Sequence, residues 1–258
     1  MIEITTNIFQ YITNLSKNNK ILVVTNTNVN KKYGYYLKNV PKLVLDFNYD
    51  SKDLTTVDKI LFYVSSNNFS KDQSILIGLG DGDLLNLVGF TASIYLNGIK
   101  YMYIPTDLLS MLKNSIDKYN TLNSNRSLNK IGFFNRPDKI IHDFRFIQNL
   151  DLDHLSYGLT YILKNALLFS SDIWNYLKIH NLNYFQQHFS KLKELIKVTI
   201  DNKININTTN NRDLNQDRIY YSFGEIVGTS MDIVLNKPNG HHLGIGMLKE
   251  LQFGNLSF

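Results

Sequence analysis

Apolar and polar positions follow two different registers along this chain, and the register changes near the middle. In the first half, short aliphatic runs are separated by stretches with helical spacing. Lys20–Asn26 (KILVVTN) and Lys42–Phe47 (KLVLDF) read as strands buried on both faces, because such strands carry near-continuous apolar runs. Thr55–Asn67 (TTVDKILFYVSSN) has apolar residues three and four apart and predicts a helix, with Thr55 or Thr56 as its cap. Ser74–Asp83 (SILIGLGDGD) predicts a strand running into a glycine turn. Leu84–Asn97 then predicts an apolar helix and Lys100–Thr106 (KYMYIPT) a further strand. This alternation predicts a parallel sheet in an α/β domain over residues 1–140.

Beyond Pro137, which marks a loop within Gly132–Leu150, long helical patterns take over. Leu155–His180 and Asn183–Ile204 read as two long helices, and Asn205–Asp217 as a polar loop. The second domain, residues 141–258, is therefore expected to be all-α. No internal repeat is visible. Near its end, YSFGEIVGTSMD (Tyr221–Asp232) sets Gly224 and Gly228 four apart, and NGHHLGIGM (Asn239–Met247) follows. Glycine inside a helix costs about 1 kcal/mol relative to alanine. Repeating it at one-turn spacing predicts that something approaches the backbone closely.

Composition narrows the class. With 43% hydrophobic and 12% aromatic residues over 258 positions, the chain is a folded globular protein. It has no cysteine, which excludes disulfides and thiolate metal sites. No apolar run approaches the roughly 20 residues that span a bilayer, and the polar N-terminal stretch does not read as a signal peptide. The expectation is a soluble, cytoplasmic protein with no membrane partner. The net charge of +5 is scattered rather than gathered into a stripe, so no nucleic-acid partner is expected.

The strongest local motif is Gly78-x-Gly80-x-Gly82, where a strand feeds a helix. Such a turn is a common seat for a nucleotide phosphate, since the helix start supplies amide donors and partial positive charge. Glycine turns also connect strands to helices without binding anything. Asp81 and Asp83 would each oppose a phosphate about 4 Å away by roughly 1 kcal/mol in water. From the loop alone, a connecting turn and a decayed phosphate site are equally good readings.

Taken in order, ILIGLGDGDLLNLVGFTASIYLNGIKYMYIPTDLL, NSIDKYNTLN, NKIGFFNRPDKIIHD, YGLTYILKNALL, RIYYSFGEIVGTSMD and NGHHLGIGM resemble the 3-dehydroquinate synthase family. The resemblance implies a Rossmann-like N-terminal domain followed by an all-α domain. It also implies a shikimate-pathway lyase that uses NAD and a divalent metal, usually zinc. Related sugar-phosphate cyclases and glycerol dehydrogenases share this architecture. Family members continue past the last of these segments, so a member shortened at its C-terminus is expected, with apolar surface to cover, as in a homodimer.

Carried over residue by residue, the resemblance assigns Gly80, Gly82, Asn86 and Thr106 as cofactor-side candidates, with Asp81 and Leu85 in place of glycines and Asn86 in place of an aspartate. It assigns Lys164, Arg218 and Asn129 as substrate or anion contacts. Lys113, Asp117, Lys118, Tyr119 and Leu128 replace other residues of the substrate segments. The three metal-ligand positions of the family fall on Tyr161, Glu225 and Asn239, and a further helix histidine on Thr229. Of these, Glu225 alone is a good hard ligand. A rebuilt site could instead combine Glu225 with His241 or His242. Adjacent helical residues point about 100° apart, so one of the two histidines at most would face Glu225. His142, His154, His180 and His188 read as surface or helix-face residues.

The reading is a dehydroquinate synthase-like protein without catalytic machinery, metal or cofactor, with a binding or structural role and an unidentified protein partner. The alternative is an enzyme of altered or weak sugar-phosphate cyclase activity that binds a nucleotide or a small phosphorylated ligand.

Overall fold

The computed structural model describes residues 2–46, 51–124, 127–208, 222–235 and 240–254. They form two compact units, Met1–Ile147 and Gln148–Phe258.

The first unit is built on a six-stranded sheet in which every neighbouring pair is parallel. Its strands are β1 (Ile2–Ile4), β2 (Lys20–Asn26), β3 (Lys42–Leu45), β4 (Ser74–Gly80), β5 (Lys100–Pro105) and β8 (Lys139–His142), in the spatial order β1-β8-β5-β4-β2-β3. Side chains alternate across each strand, and this divides the core in two. Leu22, Val24 and Leu76 pack with Val57, Ile60 and Val64 of α3 (Leu54–Ser66) and with Leu84, Leu87 and Val88 of α4 (Gly82–Ile94). On the other face, Ile21, Val23, Ile77 and Ile104 pack with Ile8 and Ile12 of α1 (Ile8–Asn18) and Val29 of α2 (Thr27–Tyr33). Helices on both faces explain why the strands read as continuous apolar runs. A short helix α5 (Leu108–Leu112) and an antiparallel ribbon of β6 (Tyr119–Ser124) and β7 (Ser127–Phe134) complete the unit.

Four local expectations are corrected. The single helix expected over Asn183–Ile204 is two, Leu182–Gln187 and Phe189–Thr208, because His188 between them leaves the helical backbone region. The cap of α3 is Asp53, not a threonine: its carboxylate accepts from the Thr56 amide at 2.8 Å. The predicted helix over Leu155–His180 is two helices, α6 (Leu152–Phe169) and α7 (Ser171–Ile179). Ser170 between them is extended, and its hydroxyl accepts from the Ile173 amide at 3.4 Å, which caps α7. His142 is not a surface residue but fully buried. It ends β8, which lies between β1 and β5, so both of its sides are covered. β1, α1 and the β6–β7 ribbon are elements that the hydrophobic pattern did not announce.

The second unit is helical throughout its described residues, adding α8 (Leu182–Gln187), α9 (Phe189–Thr208), α10 (Glu225–Val234) and α11 (Gly240–Gly254). Here the paired glycines find their explanation. A Cβ on Gly228 would lie 2.9 Å from the carbonyl oxygen of His242, and one on Gly246 would run into the Gly224 carbonyl. Gly224 itself has φ +75°. The glycines let the backbones at the start of α10 and along α11 touch, which any side chain would prevent. No described helix is long and apolar enough to cross a membrane.

Candidate functional site

The cofactor-side candidates meet at the C-terminal edge of the sheet in the first unit. β4 ends at Gly80, whose carbonyl accepts from the Thr106 amide at 3.0 Å just after β5. Asp81 is the N-cap of α4: one oxygen accepts from the Leu84 amide at 3.0 Å and the other from Asn26 Nδ2 at 3.0 Å. Burial pushes the Asp81 carboxyl up to about 6, partly offset by the Leu84 amide, and Asp83 and Asp107 add to the rise. Behind Gly82 the side chain of Asn114 occupies the space a Cβ would take. The helix start that could face a phosphate is thus capped by the chain's own carboxylate.

Beside it lies a buried cation that the sequence reading missed. Lys52, two residues before α3, has a side chain 3% exposed. Its Nζ donates to Asn129 Oδ1 at 2.7 Å, pairs with Asp83 Oδ1 at 2.9 Å and reaches Thr121 Oγ1 at 3.4 Å. With its amide oriented to satisfy both neighbours, Asn86 accepts from the same Nζ at 3.0 Å and donates to the Tyr119 carbonyl at 3.2 Å. An ammonium carries three donors, and here they meet three close acceptors. Lys52 therefore ties α3, α4 and the β6–β7 ribbon together, and it gathers Asn86 and Asn129, which the sequence reading had placed in different roles. In SKDL the residue looks like any solvated lysine, so no local signal announces it.

His142 forms a separate buried point of the same unit. Its Nε2 lies 3.4 Å from Ser115 Oγ, and its Nδ1 has no partner among the described residues. Burial lowers its imidazole to about 4, so it is neutral at physiological pH.

In the helical unit, Tyr161 and Lys164 stand one turn apart on α6, both buried. Tyr161 Oη accepts from Lys203 Nζ of α9 at 3.0 Å, and Lys203 is itself 0% exposed. Lys164, with a side chain 2% exposed, pairs with Glu225 Oε1 at the start of α10 at 3.2 Å. Lys203 was also missed, although a signal existed: it continues the buried register of Leu192, Ile196, Thr199 and Ile200 along α9. His242 Nδ1 lies 2.5 Å from Asp232 Oδ1, and the ring of His241 meets Tyr157 edge-on at 5.1 Å. Among the described residues no group of three or more His, Cys, Asp or Glu side chains is placed to hold a metal. Arg218 and Asn239 lie outside the described residues.

A sequence profile of the 3-dehydroquinate synthase N-terminal family matches residues 42–157. The chain is 28% identical to the 3-dehydroquinate synthase of Saccharolobus solfataricus, covering 85% of this chain and 62% of that one. It is 30% identical to that of Sulfurisphaera tokodaii, covering 78% and 57%. The chain thus spans about three fifths of the length of these two relatives. Against the Lactococcus lactis subsp. cremoris enzyme the identity is 29%, covering 94% and 71%. Among solved structures, 2-epi-5-epi-valiolone synthase from Streptomyces hygroscopicus subsp. jinggangensis, with NAD+ and Zn2+ bound, superimposes with TM-score 0.82 at 21% identity, covering 96% of this chain and 72% of that one. A 2-deoxy-scyllo-inosose synthase complexed with carbaglucose-6-phosphate, NAD+ and Co2+ superimposes with TM-score 0.81 at 14% identity, covering 98% and 73%. Family profile, curated relatives and shared fold agree, and the chain is a member of the 3-dehydroquinate synthase-like family.

Proposed function

We propose that this protein is a catalytically inactive homologue of 3-dehydroquinate synthase, which keeps the fold for a binding or structural role and works with neither NAD nor a divalent metal. The observation that carries this reading is the state of two positions that match metal ligands of the family. A catalytic zinc takes three protein ligands, typically histidine and carboxylate. Tyr161 offers a phenol that accepts from the buried Lys203, and the Glu225 carboxylate is paired with the buried Lys164. That donor set does not fit zinc.

The glycine loop argues the same way for NAD. A dinucleotide pyrophosphate needs free amides at a helix start, whereas Asp81 caps α4 and Asp83 stands in its first turn. Both carboxylates oppose a phosphate.

Thermal unfolding of the whole protein tests the reading. A ligand at a hundredfold excess over its dissociation constant adds about 2.7 kcal/mol of stability. Neither NAD+ nor Zn2+ is expected to move the melting temperature, and no 3-dehydroquinate is expected from the family's phosphorylated substrate. A saturable shift with either ligand overturns the reading. The second reading, a weak or altered sugar-phosphate cyclase, is favoured by the presence of Lys164 and Asn129 at matching positions. It requires product formation that is lost in Lys164→Ala.

A further inference from the structure

The acceptors around Lys52 differ in kind. Asn129, Asn86 and Thr121 present neutral oxygens, and Asp83 presents a carboxylate. Asp83 is also the outermost of the pair, with a side chain 32% exposed against 3% for the lysine. It reaches inward from the first turn of α4, where the helix start favours negative charge. A buried ammonium held by neutral oxygens, with one anion at the solvent side, has the makeup of a small oxyanion seat. Here the anion is a side chain, Asp83.

We propose that Asp83 is the built-in occupant of an oxyanion seat whose donor is the Lys52 ammonium, oriented by the oxygens of Asn86, Asn129 and Thr121. Its carboxylate stands where a phosphate or carboxylate group of a ligand would otherwise bind, and it closes the seat to free anions. Binding there requires that Asp83 swing out or be replaced. The inference rests on the reading that this chain has given up the family's ligands, and it names the device that keeps one ligand position shut.

The test uses the full chain and inorganic phosphate as the probe, against chloride at equal ionic strength. Wild type is expected to melt at the same temperature in both. Asp83→Asn, which keeps the size of the side chain and removes its charge, is expected to gain a saturable phosphate-dependent rise. At a tenfold excess over the dissociation constant this is roughly 3 °C or more. Asp83→Glu restores a carboxylate and is expected to behave as wild type. In the Asp83→Asn background, Lys52→Met is expected to abolish the rise. Should that double variant fail to fold, Asn129→Ala in the same background is expected to weaken it. An Asp83→Asn protein without a phosphate response, or a wild type that responds equally, overturns the proposal. A melting shift of wild type with NAD+ would instead overturn the functional reading, and the two failures are read from different ligands.

Discussion

The two units each bury a lysine and each answer it with a carboxylate in the first turn of a helix, yet they do so with different reach. In the α/β unit, Lys52 comes from the segment before α3 and meets acceptors on α4, β6 and β7. In the helical unit, Lys164 sits within α6 and meets Glu225 at the start of α10. One lysine fastens two helices to a ribbon, and the other fastens helix to helix. The difference teaches that the same charge pairing can close a ligand position or brace a scaffold, depending on what else the ammonium holds.

The largest expected effects break that comparison directly. Removing one partner of a buried pair costs about 3–5 kcal/mol. Lys52→Met strands the oxygens of Asn86 and Asn129 as well as the Asp83 carboxylate, and Lys164→Met strands Glu225, so both losses should fall in that range. Urea unfolding of both variants checks it, and a loss under about 1 kcal/mol in either would show that its pair is not held as a buried one.

Glycines provide the next contrast. Gly246→Ala drives a Cβ into the Gly224 backbone, which cannot give way, so overpacking of about 3 kcal/mol is expected. Gly82→Ala meets only the Asn114 side chain, a group that can rotate aside. Its cost should stay below about 1 kcal/mol. A crystal structure or melting curve of each variant shows whether backbone contact or side-chain contact governs tolerance.

Acid titration sharpens the comparison further, because His142 and Asp81, whose shifted values of about 4 and about 6 fall on the acid side of neutral, both lie in the α/β unit. The folded-state value of His142 falls from 6.5 to about 4. The stability it contributes is full above 6.5 and is lost as pH falls through about 4, on the order of 3 kcal/mol. Asp81 runs oppositely. Its value rises from 3.8 to about 6, so its contribution is full below 3.8 and is lost as pH rises through about 6. The two offset each other across the same window. His142→Gln should therefore lessen the loss of stability on acidification. Asp81→Asn, which keeps a capping oxygen, should raise stability above pH 6 and leave it nearly unchanged below pH 4. Melting temperatures across that range, compared with wild type, settle both signs.

Much of the fold was legible. The strands at Lys20–Asn26, Ser74–Gly80 and Lys100–Pro105 announced themselves as short apolar runs, and burial on both faces is the reason. The break at Ser170 was not legible, because serine also fits a helix and only its extended backbone turned it into a shared boundary. The site was legible in part. Gly80, Gly82, Asn86, Thr106 and Asn129 could be named from motif resemblance, and Tyr161, Lys164 and Glu225 likewise. Lys52 could not, since nothing local distinguishes a lysine that will be buried from one that will be solvated.

Sequence alone determined the periodicities, the glycines that permit close backbone approach, and which residues motif resemblance sets against the family's ligand positions. These are local properties, set by side-chain shape and spacing. Only the tertiary structure decided which charges face each other. Asp83 closing on Lys52, Glu225 on Lys164 and Lys203 on Tyr161 are contacts across 31, 61 and 42 positions of chain. Burying an ammonium is costly unless its partners converge on it, and that convergence exists only once the chain has folded.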